Sequence, residues 1–203
     1  MKQTLVQLFS NAFHPLLSLT WATLLMVGFT PLAILPTPTR LLLVGEVFLC
    51  TCLLPALIFL LLSKVGIVKN GVTLRDRQDR VFPLFIYMML CFVLTILLAN
   101  QGLPQWAMIY YFGGAFLASV FVLVTIWWKI SGHAAGNASI AVASLFMHYL
   151  FPAIFPLLIP VVWIVLTGAV ASARLYLGRH TMAQVFIGML AGAACIILAN
   201  EIL

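Results

Sequence analysis

Residues 105–133 read QWAMIYYFGGAFLASVFVLVTIWWKISGH, and from Gln105 to Trp128 no residue carries a charge. A helix of that length rises about 35 Å, more than the roughly 30 Å hydrocarbon core of a bilayer. The apolar residues do not alternate with polar ones, so a barrel strand is excluded. Trp127 and Trp128 mark the membrane–water boundary, and the first cation, Lys129, follows at headgroup depth. This stretch is therefore a membrane span that ends in a polar cluster.

The same reading extends outward in both directions. Of 203 residues 65% are hydrophobic and 7% charged, with a mean hydropathy of +1.20. A soluble domain of that size needs far more charge to cover its surface. Seven candidate spans result, at about 16–36, 41–63, 82–100, 105–128, 136–153, 157–177 and 183–201. Pro36, Pro38 and Arg40 close the first hairpin, and Asn100-Gln101-Gly102 with Pro104 turns the second. The expected architecture is an all-α polytopic bundle of six to seven spans. It forms a single integral membrane domain over 1–203, with the first run a retained span rather than a signal peptide. Cys50, Cys52, Cys91 and Cys195 all fall in apolar runs without CxxC spacing, so they are expected to be small hydrophobes, with no metal and no disulfide.

The cations are unevenly distributed. Lys2, Lys64, Lys69, Arg75, Arg77, Arg80, Lys129, Arg174 and Arg179 fall on one side of this topology, and Arg40 alone on the other. The positive-inside rule puts the polar face in the cytoplasm. The expected location is the bacterial inner (plasma) membrane, with no nucleic-acid partner. Three clusters share this face: Lys129-Ile-Ser131-Gly132-His133; Arg174-Leu-Tyr-Leu-Gly-Arg179-His180 followed by Gln184; and the loop KNGVTLRDRQDR from Lys69 to Arg80. Ser131 and Gly132 open a helix, where backbone N–H groups can receive an anion.

These residues resemble the type-2 phosphatidic acid phosphatases, membrane lipid phosphatases whose catalytic core is shared with vanadium haloperoxidases. That family's second signature is Pro-Ser-Gly-His, and Ile130-Ser131-Gly132-His133 matches three of its four positions. Its third is Ser-Arg, five residues, His, three residues, Asp. Ala173-Arg174, His180 and Gln184 keep both spacings, with alanine for the serine and glutamine for the aspartate. The resemblance covers about residues 105–200. The first signature, Lys-x6-Arg-Pro, has no clear counterpart. Either Lys129 serves as its lysine, or Arg75, Arg77 and Arg80 of the earlier loop fold over the same pocket.

The resemblance implies a metal-independent, cofactor-free hydrolase acting on a lipid phosphomonoester or diphosphate, such as a phosphatidate, a prenyl phosphate or a lipid-A-like phosphate. His180 would be the nucleophile and His133 the acid that protonates the departing alkoxide. Lys129, Ser131, Gly132 and Arg174 would hold the phosphoryl oxygens. Gln184 can accept a hydrogen bond from the nucleophile's second nitrogen but supplies no negative charge; Asp76 or Asp79 are alternative orienters. Two other readings stay open. One is a non-catalytic relative that binds a phospholipid headgroup or acts as a membrane subunit, favoured by Gln184 and the missing signature. The other is a small transporter of an anionic solute, against which stands the lack of an inverted repeat. Elsewhere, His14-Pro15 is expected to be a cap and boundary, His148 a satisfied core histidine, and Glu46 an interfacial acid. Gly113-Gly114 and Gly188-x3-Gly192 permit close helix packing, within the chain or between chains.

Overall fold

The computed structural model describes residues 2–66 and 78–203, with the side chains of residues 78–80 excepted. All regular structure among them is helical: α1 (Lys2–Ala12), α2 (Ser18–Phe29), α3 (Thr37–Phe48), α4 (Leu54–Lys64), α5 (Gln78–Asn100), α6 (Gln105–Trp127), α7 (Gly132–Leu150), α8 (Leu158–Tyr176) and α9 (Met182–Ile202). The protein is thus an all-α membrane bundle. Large apolar side chains point outward along the helices, among them Leu42 (72% exposed), Val165 (66%) and Leu198 (56%). In water such a surface would aggregate; in a bilayer it is the lipid contact.

Among the described residues, six stretches are long and apolar enough to cross a membrane: Lys2–Phe29, Thr37–Lys64, Val81–Asn100, Gln105–Trp127, Leu158–Tyr176 and Met182–Ile202. Two of them are interrupted. The first bends at His14-Pro15 into a short 3₁₀ turn, Pro15–Leu17, so the run expected from about residue 16 is preceded by α1. α3 and α4 are joined by one π-helical turn, Leu49–Leu53, placed just ahead of Pro55. Proline lacks the N–H an α-helix would use there, and a widened turn accommodates the loss.

The fifth expected span, 136–153, is the exception. Its helix runs from Gly132 to Leu150 and carries His133, Asn137, Ser139, Ser144 and His148, so it falls outside the six apolar candidates. The reason is position. α7 packs against α2, α6, α8 and α9 and so forms the centre of the bundle. Ala134, Ala135, Ile140 and Asn137 are all at most 2% exposed. A helix walled in by protein has no need of lipid-facing side chains, and its polar groups find partners within the bundle. Asn137 Nδ2 donates to the carbonyls of His133 (2.8 Å) and Phe13 (3.2 Å), and His148 Nδ1 lies 2.7 Å from the Phe155 carbonyl oxygen.

Small residues bring α7 and α9 together. A Cβ on Gly188 would lie 2.7 Å from the Ser131 carbonyl oxygen, and one on Gly192 would overlap the Ala135 carbonyl. The Gly-x3-Gly pair therefore serves packing inside this chain, and the two helices run parallel with backbones in contact. Gly113 and Gly114 do the same for two different neighbours, Ile196 of α9 and Leu19 of α2. Without a hydrophobic drive between helices in lipid, such close approach is what dispersion and backbone contact need.

Candidate functional site

The parallel start of α7 and α9, with the end of α8 between them, brings both sequence clusters to one end of the bundle. Ser131 caps α7: its Oγ accepts from the Ala134 N–H at 3.4 Å, and its own N–H donates to the Gln184 carbonyl oxygen at 3.0 Å. That second bond ties the Ser-Gly-His turn directly to the first turn of α9. It also engages the Ser131 N–H, and Ser131 is fully buried. Helix geometry leaves the N–H groups of Gly132 and His133 without intrahelical acceptors.

α8 ends in a left-handed glycine, Gly178, at φ +61°. The Arg179 N–H reaches back to the Arg174 carbonyl at 3.1 Å, the hydrogen-bonded closure typical of a glycine-terminated helix. This turn delivers His180 to the start of α9. Lys129 Nζ donates to the Arg179 carbonyl at 2.8 Å, so Lys129 clasps the backbone one residue before His180.

Gln184 is held in two ways. Thr181 Oγ1 accepts from the Gln184 N–H (3.4 Å), and Gln184 Oε1 accepts from the Thr181 N–H (3.2 Å), a reciprocal capping box. The amide cannot flip without losing the second bond. Oε1 also lies 3.3 Å from His180 Nδ1. An oxygen can only accept, so His180 Nδ1 must carry the proton, and its Nε2 keeps the lone pair. Neutral glutamine thus sets the tautomer that leaves Nε2 nucleophilic.

Arg174, 9% exposed, donates from Nη1 to Ser10 Oγ at 3.1 Å. Ser10 is completely buried and belongs to α1, at the opposite end of the sequence. His133 has Arg174, His14 and His180 all within electrostatic range. Its Nε2 is buried and makes no hydrogen bond among the described residues. A buried polar nitrogen left so costs about 1–3 kcal/mol, and its neighbours are cationic or can become so. The chemical complement of that set is an anion with several acceptor oxygens.

The structure therefore brings together His133, His180, Arg174, Ser131, Gly132, Lys129 and Gln184. Arg75 and Arg77 lie outside the described residues, together with Lys69 and Asp76, as do the side chains of Asp79 and Arg80. Two groups at this site lie beyond the sequence clusters. Ser10 carries no sequence signal. His14 does cap the 3₁₀ turn, accepting the Leu16 N–H on Nδ1 at 3.3 Å, but its ring also meets that of His133, centroids 5.0 Å apart and nearly perpendicular. Glu46 takes no part. It accepts from Gln101 Nε2 at 3.0 and 3.1 Å, near the opposite ends of the helices.

Residues 119–203, from within α6 to the end of α9, match the family model described as the PAP2 superfamily. No curated protein and no solved structure gives a match.

Proposed function

We propose that this chain, a member of the PAP2 superfamily through residues 119–203, is a membrane lipid phosphatase that works through a phosphohistidine on His180. The superfamily includes lipid phosphatases. The observation that carries the reading is the tautomer lock: an Nδ1-protonated His180 within electrostatic range of His133, whose Nε2 is buried and which also has the buried Arg174 in range.

The chemistry follows from those groups. His180 Nε2 attacks phosphorus, a new N–P bond forms, and the P–O bond to the lipid alkoxide breaks. His133 gives its proton to the departing oxygen, leaving a free lipid alcohol. Water then attacks the phosphohistidine, returns a proton to His133 and releases phosphate. Through the transfer, Arg174 and the N–H groups of Gly132 and His133 hold the non-bridging oxygens as charge redistributes. Lys129 contributes by fixing the Arg179–His180 backbone and by its charge. The exposed apolar faces of the adjacent helices hold the lipid tail. The substrate is a lipid phosphomonoester or diphosphate.

Gln184 tunes this scheme. An aspartate there would add a negative charge against the imidazolium that forms on His180. By analogy with triads that lose such a carboxylate, the neutral residue costs up to about 10⁴ in rate. Gln184→Asp is therefore expected to raise phosphate release by at least about tenfold, measured on purified protein with a panel of lipid phosphates. A native chain that is inert on every substrate, beside an active Gln184→Asp, would select the second reading, a headgroup-binding relative. Inertness of both would remove the hydrolase reading altogether.

The site faces the cytoplasm in this proposal, on the bias of Lys2, Lys64, Lys129, Arg174 and Arg179 toward one face. In intact cells, Tyr176→Cys should react with a membrane-impermeant thiol reagent only after permeabilisation, the unaltered chain serving as background. Labelling before permeabilisation would reverse the orientation.

A further inference from the structure

The segment Ser10–Pro15 is fastened to the pocket at four points. Ser10 accepts from Arg174, the Phe13 carbonyl accepts from Asn137, the His14 ring meets the His133 ring, and Pro15 lies against Gly132, where an added Cβ would come within 3.5 Å of its Cγ. α1 also packs on α8. All four contacts join residues more than a hundred positions apart; three fall on residues that build the site, and the fourth on Asn137, one turn along α7 from His133. This wall stands beside a Ser-Gly-His turn that has no Lys-x6-Arg-Pro ahead of it.

Within the wall, His14 has a defined protonation. Its Nδ1 accepts the Leu16 N–H, so the proton of the neutral ring sits on Nε2, at the end of the ring away from its own backbone. Arg174 lies within electrostatic range of His14, as His14 does of His133. An N–H donor with a fixed tautomer, a buried guanidinium and a second histidine are thus neighbours. We propose that His14 is a phosphate-binding residue of this site, its Nε2–H donating to a non-bridging oxygen of the phosphoryl group while His133 serves the leaving oxygen. The identity of that group rests on the lipid-phosphatase reading; the binding of an oxyanion does not.

The competing role for His14 is purely structural, as the cap of the 3₁₀ turn, and two substitutions separate the roles. Asparagine and aspartate both cap such turns well through a side-chain oxygen. His14→Asn therefore keeps the cap and removes the outer donor, whereas His14→Asp keeps the cap and places a negative charge there. Full-length protein in detergent is titrated calorimetrically with orthovanadate, a phosphate-shaped oxyanion, and assayed for phosphate release and melting temperature. His14→Asn is expected to weaken vanadate binding and lower kcat/KM by about 10- to 100-fold, with the melting temperature unchanged. His14→Asp is expected to lose more than His14→Asn in both, since its charge repels the anion.

Variants that bind vanadate as the unaltered protein does would overturn the proposal, as would a His14→Asp as active as wild type. A second measurement needs no substitution: the imidazole ¹⁵N resonances of His14 should shift on vanadate addition, and unmoved resonances would also overturn it. A wild type that releases no phosphate but binds vanadate more tightly than His14→Asn would remove the hydrolase reading and leave this one standing.

Discussion

His180→Ala is expected to reduce phosphate release by at least about 10⁴-fold, because in the proposed mechanism it removes the atom that bonds to phosphorus. No neighbouring group can take over. His133 is wanted as the acid, and Lys129 Nζ is engaged at the Arg179 carbonyl. The groups proposed to hold the oxyanion survive the substitution: Arg174 keeps its Ser10 bond, and the first turn of α7 is untouched. Oxyanion affinity should therefore change by only a few-fold, a split that distinguishes loss of a nucleophile from loss of a pocket. Rapid acid-free quenching of wild type with labelled substrate should trap protein-bound phosphate that is stable in base and labile in acid, and His180→Ala should trap none. Undiminished turnover in His180→Ala would end the phosphohistidine mechanism.

The largest structural effect is expected at Gly192. A side chain there is driven into the Ala135 carbonyl, a backbone group in the first turn of the packed helix α7 that cannot swing aside. Gly192→Ala must push α9 away from α7, at a cost of about 3 kcal/mol. The same displacement strains the bond from the Ser131 N–H to the Gln184 carbonyl, which sets the relative height of His133 and His180. A misplacement of about 1 Å in reacting groups can cost about 100-fold in rate. Gly192→Ala should thus both melt earlier in detergent and show reduced activity in its folded fraction. Gly168→Ala, in the middle of α8 with nothing within 4 Å of the added methyl, is the control and should be neutral or slightly stabilising. A Gly192→Ala protein as stable and active as that control would show that the helix contact does not govern the site.

Most of the bundle is legible in the sequence because lipid enforces long uncharged runs, and five of the six apolar stretches coincide with expected spans to within a few residues. Two helices depart from that pattern. α1, with Lys2, Gln3, Gln7 and Asn11, lies ahead of the run expected from residue 16, and α7, expected as the span 136–153, is a helix more polar than the other spans because it is enclosed. The site divides in a similar way. Ser131-Gly132-His133 and Arg174-x5-His180 are local spacings on helix ends, and helix ends keep local spacings together. Ser10 and His14 reach the pocket through tertiary packing alone, and no periodicity in the chain links them to residues 133 or 174. The Thr181–Gln184 capping box emerges only in the structure, and its consequence for His180 depends on which way the amide is held.

The enclosure of α7 bears on how the protein is made. Segments enter the bilayer in the order of synthesis, and a segment with Asn137, Ser139 and Ser144 along its length partitions less readily than its neighbours. When α7 leaves the ribosome, α2 and α6 are already in place, while α8 and α9 do not yet exist. α7 must therefore wait against the two finished helices, or be held by the insertion machinery, until the last hairpin is delivered. The pocket is completed in that final step, when α9 carries its glycines onto α7 and Gln184 meets Ser131. A chain truncated before residue 182 would leave a polar helix without its α9 neighbour, so the burial of α7 and the assembly of the candidate site depend on the same closing event.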